Sequence, residues 1–145
     1  MQVYRALISQ VLLYGSHCWS LSAAQLEGLE VLQRHHLRRI LGVKISDRVS
    51  NEALLQRCSQ PTVAAQLLKR RGHWIGHVLR MGDDRLAKQL LYSSLPGKRR
   101  RGRQPQWIVN QFAADVRGVL DSQQLRDVSE QAADNNAWNG LFISN

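Results

Sequence analysis

The sequence holds little of what would assign it to a simple class. Cysteine occurs only at Cys18 and Cys58, too few for a disulfide framework and in keeping with the reduced thiols of an intracellular protein. No apolar run approaches the roughly 18 residues that a membrane-spanning helix requires. The apolar opening, Met1 to Tyr14, carries Arg5 as its only charge and is not followed by a small-residue cleavage site. It therefore does not read as a signal peptide. Neither a Gly-x-Ser-x-Gly nucleophile turn nor a Gly-x-x-x-x-Gly-Lys phosphate loop is present, so two common routes to catalysis are missing. Acid is scarce as well: 11 Asp and Glu face 20 Lys and Arg, for a net charge of +9.

What is there fits a small globular protein. With 145 residues, 43% of them hydrophobic, the chain suffices for one ordinary domain or two small helical ones. A globule of this size buries about 68–70% of the surface its unfolded chain exposes, enough for a core without staples. The pI near 10.6 favours a polyanionic partner, of which nucleic acid is the commonest. The charge is uneven: residues 1–103 hold 18 basic and 6 acidic residues, whereas residues 104–145 hold 2 and 5. The surface facing a polyanion is thus expected in the first hundred residues or so.

Nearly every periodic stretch predicts helix. Val3, Leu7, Val11 and Tyr14 recur at helical spacing, with Gly15 as a terminator. Ser22 and Gln25 form a capping-box pattern, and Leu26, Leu29, Leu37, Ile40 and Leu41 follow on one face up to a stop at Gly42. A short helix after Ser50 carries Leu54 and Leu55, and Thr62 opens a longer one reaching Met81. Asp83 or Asp84 caps a helix bearing Leu86, Leu90 and Leu91. Pro105 suits the first turn of a helix through Trp107, Ile108, Phe112, Val116 and Val119. Ser122 caps a last helical region with Leu125, Val128 and Trp138. Val43-Lys44-Ile45 is the one strand-like stretch. The expected fold is all-α: a multi-helix bundle over residues 1–92, a basic loop over 93–104, and a smaller helical unit over 105–145.

Three basic features stand out. At about 100° per residue, Lys69, His73, His77 and Arg80 fall in one stripe with Arg70 beside it, while Leu67, Leu68, Trp74, Ile75, Val78 and Leu79 cover the other side. The stripe holds no acid, and it suits a helix lying along phosphates better than an ordinary solvated face. Arg71 stands in the middle of the apolar side. Arg34 and Arg38 make a second patch, with Glu27 and Glu30 placed to pair with Arg34. The run Lys98, Arg99, Arg100, Arg101, Gly102, Arg103 packs five positive charges into six residues. It fits a phosphate contact, a nuclear-localisation address or a solvated loop, and Gly97 and Gly102 allow close approach of the backbone.

Metal and polymerase chemistry fit less well. His73 and His77 stand at i and i+4, and His17, Cys18 and Cys58 are further ligand types, but there is no Cys-x-x-Cys pair and no zinc-protease Glu. Gly82-Asp83-Asp84 looks like a polymerase motif. That chemistry needs aspartates on a strand hairpin and a third carboxylate to hold two metal ions, and both flanks here read as helix.

Several segments together resemble one family. Tyr14-Gly15 with Trp19, Leu37-Arg38-Arg39-Ile40-Leu41-Gly42, Asp47-Arg48-Val49-Ser50-Asn51-Glu52, Trp74 to Met81, and Gly97 to Arg103 occur in the order found in the C-terminal region of non-LTR retrotransposon (LINE-type) endonuclease–reverse transcriptases. The likeness runs from about Tyr4 to Trp138. It implies the thumb and post-thumb part of such a polyprotein, following the palm. The palm Tyr-x-Asp-Asp and the endonuclease carboxylates have no counterpart here. The chain departs from the family at Gln104 and Gln106, where Pro and a basic residue are usual, and at Gly72, where an apolar residue is usual.

The resemblance and the charge together predict a nucleic-acid-binding fragment that grips template and primer through backbone contacts. Its binding residues are Lys69, Arg70, His73, His77 and Arg80 and the loop Lys98, Arg99, Arg100, Arg101 and Arg103, with Arg34 and Arg38 in second rank. The partners expected are RNA, DNA or an RNA–DNA hybrid, with no membrane, small-molecule substrate, cofactor or metal. No catalytic residue is assigned, so the chain alone is not expected to be an enzyme. Its location is expected to be intracellular and nuclear. The alternatives are an accessory segment of an active RNA-directed DNA polymerase whose catalytic domains lie outside this chain, and a decayed mobile-element remnant without activity.

Overall fold

The computed structural model describes residues 2–92 and 132–142. Among them every regular element is helical and there is no strand, so the fold is all-α. A π-helical segment, Tyr4–Ser9, continues into α1 (Gln10–Leu12). Then come α2 (Ala23–Leu41), α3 (Asn51–Cys58), α4 (Val63–Leu79), α5 (Leu86–Tyr92) and α6 (Asn135–Leu141). Short 3₁₀ turns occupy Ser16–Cys18 and Ile45–Asp47. The latter replaces the strand-like stretch that Val43-Lys44-Ile45 suggests. Lys44 N–H donates to the Asp47 carboxylate at 2.8 Å, and this local bond favours the turn over extended chain.

Local chemistry fixes the helix ends. Ser22 Oγ accepts from Gln25 N–H while Gln25 Oε1 accepts from Ser22 N–H at 2.8 Å, so the predicted capping box forms at the start of α2. Gly42 ends α2 at φ 67° and Gly15 follows α1 at φ 65°, the left-handed backbone that glycine adopts without a Cβ penalty. Ser50 Oγ accepts from Ala53 N–H at the head of α3. Its tail is less usual, because the left-handed residue is Ser59 at φ 48°. The Ser59 carbonyl accepts a 2.7 Å hydrogen bond from the Arg5 guanidinium, which ties this strained turn to the N-terminal segment. At the head of α4, Thr62 Oγ1 accepts from Ala65 N–H at 3.1 Å.

The chain divides into two compact units, Met1–Leu67 and Leu68–Asn145. The division falls within α4, and the loop expected at 93–104 lies outside the described residues. The first unit has two apolar clusters. One joins Tyr4, Leu37, Leu54 and Cys58, with Val49 and Leu55 against them. The other joins Leu13, Val63 and Leu67, flanked by Leu12, Trp19, Leu21, Leu26 and Leu29.

Two predicted faces of this unit are corrected. The helical spacing of Val3, Leu7, Val11 and Tyr14 predicts a core-facing side, yet they are 70%, 61%, 78% and 83% exposed. The buried positions are Tyr4, Ser9, Leu13 and Ser16. The step of five from Tyr4 to Ser9 reflects the wider turn of the π segment, which shifts the inward face away from the 3.6-residue wheel. On α2, Ile40 and Leu41 are exposed, and the inward positions are Glu30, Gln33 and Leu37. The two polar ones have partners in the α3–α4 connection. Glu30 Oε1 accepts from Ala64 N–H at 2.9 Å, and Gln33 Nε2 donates to the Pro61 carbonyl at 2.9 Å. A carboxylate from α2 thus satisfies a free N–H at the positive end of α4.

The second unit is built on the rest of α4. Ile75, Leu79, Ala132, Trp138 and Phe142 form its core, with Leu68, Trp74 and Leu141 packed on them. The C-terminal segment runs antiparallel to α4: Phe142 lies over Gly72 and Trp138 over Gly76, and the Ala132 carbonyl accepts from Arg80 Nη1 at 2.8 Å. An added Cβ at Gly72 would come within 2.7 Å of the Phe142 ring, and one at Gly76 within 2.5 Å of Trp138 Cδ1. The indole N–H donates to the Gly72 carbonyl at 2.7 Å. The two glycines that weaken α4 as an isolated helix therefore make room for two aromatic rings. Asp134 caps α6, accepting from Asn136 and Ala137 N–H, and the cap expected at Ser122 lies outside the described residues.

Candidate nucleic-acid interface

The α4 stripe is laid out as the wheel predicts. Lys69, His73, His77 and Arg80 are exposed, and Arg70 beside them is half-buried. On the opposite side Leu67, Ile75, Val78 and Leu79 are buried, with Leu68 and Trp74 partly so. Trp74, partly buried, packs against the second unit's core. Arg71, out of place on the apolar side, is only 5% exposed.

Cation is crowded on this face because α4 has no acidic residue at all. The crowding reaches His73. Partial burial of its ring, then the neighbouring charges of Lys69 and Arg80, hold its pKa below the ordinary imidazole value. Each of these causes disfavours the protonated ring. Arg80 Nη1 donates to the Ala132 carbonyl at 2.8 Å, which ties this end of the row to the C-terminal segment. An exposed row of this kind suits phosphate oxygens, which accept from ammonium, guanidinium and imidazole N–H alike.

The second-rank patch is differently employed. Arg34 Nη2 pairs with Glu27 and Arg34 Nη1 lies 4.0 Å from Glu30, as the spacing of those acids predicts. Arg38 Nη2 donates to the Val49 carbonyl at 2.8 Å and to Asn51 Oδ1 at 3.1 Å. Arg38 thus fastens α2 to the lead-in of α3, a fold-holding role that its charge alone does not reveal. Neighbouring Arg39 and His35 are exposed. The basic run Lys98, Arg99, Arg100, Arg101 and Arg103 lies outside the described residues, as does Trp107.

The remaining candidates resolve into local structure. Asp83 sits in the turn between α4 and α5, and its carboxylate takes a 2.8 Å ion pair from Lys88 Nζ. That hydrogen bond and charge hold Asp83 below the usual carboxylate range. Both flanks of Gly82-Asp83-Asp84 are helical, not the strand hairpin of a polymerase motif. Cys18 is exposed and Cys58 is buried in the first unit. Among the described residues no three His, Cys, Asp or Glu side chains come together as a metal site, and no helix is long and apolar enough to cross a membrane.

What sequence reasoning missed is the docking of the C-terminal aromatics on α4. A signal for it was present: Gly72 and Gly76 are four apart, and so are Trp138 and Phe142. Comparison of the chain with protein-family models, with curated proteins and with solved structures finds no match.

Proposed function

We propose that the chain is a nucleic-acid-binding module that holds the phosphate backbone of RNA, DNA or an RNA–DNA hybrid. One observation carries this reading: Lys69, His73 and His77 on α4 and Arg80 in the turn just after it form an exposed, acid-free row, and the other side of α4 is anchored in a core. The net charge of +9 supports it, as does the basic run Lys98 to Arg103, which would add a second set of phosphate contacts. The resemblance to the thumb and post-thumb of non-LTR retrotransposon reverse transcriptases points the same way, and nuclear residence accords with it. In this reading the chain contributes grip and no polymerase or endonuclease centre. Sequence preference is weak, because no Asn or Gln stands among the basic residues of the row to read base edges.

The test is binding to RNA, duplex DNA and hybrid across a salt series. Contact with about five to eight phosphates gives a log–log slope of roughly −4 to −7. Changing Lys69 and Arg80 to Ala, or Arg99, Arg100, Arg101 and Arg103 to Ala, makes that slope shallower if each set touches phosphate. Absence of binding at low salt, about 50 mM, refutes the proposal.

A further inference from the structure

The α4 row contains two kinds of cation, and they answer differently to pH. Lysine and arginine side chains are charged throughout the neutral range, whereas an imidazole carries charge only when protonated. Two steps of four residues place Lys69, His73 and His77 along about 12 Å of helix, at the 1.5 Å rise per residue, and Arg80 follows in the turn after Leu79. Lys69, His73 and His77 project from one exposed face. Successive rungs are about 6 Å apart along the axis, which suits successive phosphates of one strand.

The surroundings of His73 make its proton state responsive to a ligand. Lys69 and Arg80 repel its proton from the same helix, and Arg70 lies next to the row. The segment packed on α4 beside the row, residues 132–142, reaches it through the Ala132 carbonyl, which accepts from Arg80. Its only ionisable group is Asp134, whose carboxylate accepts from the N–H groups of Asn136 and Ala137. In the turn beyond α4, Asp83 is paired with Lys88. A phosphate laid between Lys69 and Arg80 reverses the local field that the ring feels.

Resting on the nucleic-acid reading above, we infer that a phosphodiester strand lying along α4 is held by His73 as an imidazolium ion, with His77 beside it on the same face, so that binding takes up a proton. Lys69 and Arg80 supply the part of the affinity that does not vary with pH. The sign follows from linkage. The free-state pKa of His73 lies below the ordinary 6.5, and a bound phosphate raises it. The imidazolium contribution to binding is complete below the free value and disappears as pH rises through the bound value.

The experiment measures binding of the full chain to an oligothymidylate, whose base does not titrate in this range, at fixed salt from about pH 5 to pH 8. Affinity is expected to fall about 10–100-fold across the range, a change set by how far binding raises the imidazole pKa. Calorimetry in two buffers of different ionisation enthalpy should register the uptake directly. The His73→Gln/His77→Gln variant should match the wild type at the alkaline end and lose the pH dependence. Lys69→Ala should lose affinity at every pH and, because Lys69 also repels the His73 proton, should move the pH dependence to higher pH, whereas His35→Gln, at an exposed position, should keep the wild-type profile. A wild type that binds without pH dependence, or a slope that survives in His73→Gln/His77→Gln, overturns the proton-coupled row and leaves the nucleic-acid reading standing. No binding at any pH overturns that reading and this inference with it.

Discussion

Replacing Gly76 by alanine sets two effects of known size against each other. In an isolated helix the change is favourable by about 1 kcal/mol, because glycine has more backbone freedom to lose. In this fold the new methyl would meet the Trp138 indole, within 2.5 Å of Cδ1, far inside van der Waals contact. Trp138 is fully buried and its N–H is bonded to the Gly72 carbonyl, so the ring cannot move aside without opening that bond. Overpacking of this kind costs about 1–3 kcal/mol, and an indole N–H left buried without a partner costs about 1–3 kcal/mol more. The net expectation for Gly76→Ala is a loss of about 1–5 kcal/mol after the propensity gain of about 1 kcal/mol is subtracted. Gly28 is the matched control, since it lies inside α2 with nothing within 4 Å of an added Cβ. Gly28→Ala should stabilise by about 0.5–1 kcal/mol. Urea titrations followed by helical circular dichroism and by tryptophan fluorescence measure both. If Gly76→Ala stabilises as Gly28→Ala does, the indole is not seated on that glycine and the described packing of the second unit is wrong.

Three further outcomes follow from individual bonds. Ser22→Ala removes one half of the capping box at the head of α2 and should cost about 1 kcal/mol in denaturant unfolding. Arg38→Ala breaks the bonds to Val49 and Asn51 and should destabilise by about 1–3 kcal/mol, whereas Arg39→Ala, at an exposed position, should stay within about 0.5 kcal/mol of wild type. The Asp83 carboxyl should titrate below a free aspartate by NMR, and Lys88→Met should return it to the ordinary range. Because its folded pKa is depressed, the small contribution of this ion pair is present above the unfolded value and lost as pH falls through the folded one.

Much of the local architecture was legible because it depends on neighbours in sequence. The capping box of Ser22 and Gln25, the terminators Gly15 and Gly42, the N-cap Ser50 and the two-sided pattern of α4 each involve residues within a turn or two. The charged face of α4 was legible for the same reason, since exposure followed from which side was apolar. The first helix failed because a π segment changed the period on which the wheel relies, and Val3, Leu7, Val11 and Tyr14 turned outward. On α2 the predicted Leu37 is buried but Ile40 and Leu41 are exposed, and the buried Glu30 and Gln33 find partners in the α3–α4 connection, which no periodicity can announce.

The sequence by itself determined that the chain is helical, where several of its helices begin and end, and that one face of α4 is cationic and free of acid. These are properties of propensity, capping and pattern, set within a few residues of one another. Only the tertiary structure decided that Arg38 is a fold-holding residue, that a carboxylate of α2 caps α4, and that Gly72 and Gly76 are a seat for Phe142 and Trp138. Each of these joins residues between 11 and 70 positions apart, and what selects them is the need to satisfy buried polar groups and fill space. That need arises only when distant segments meet.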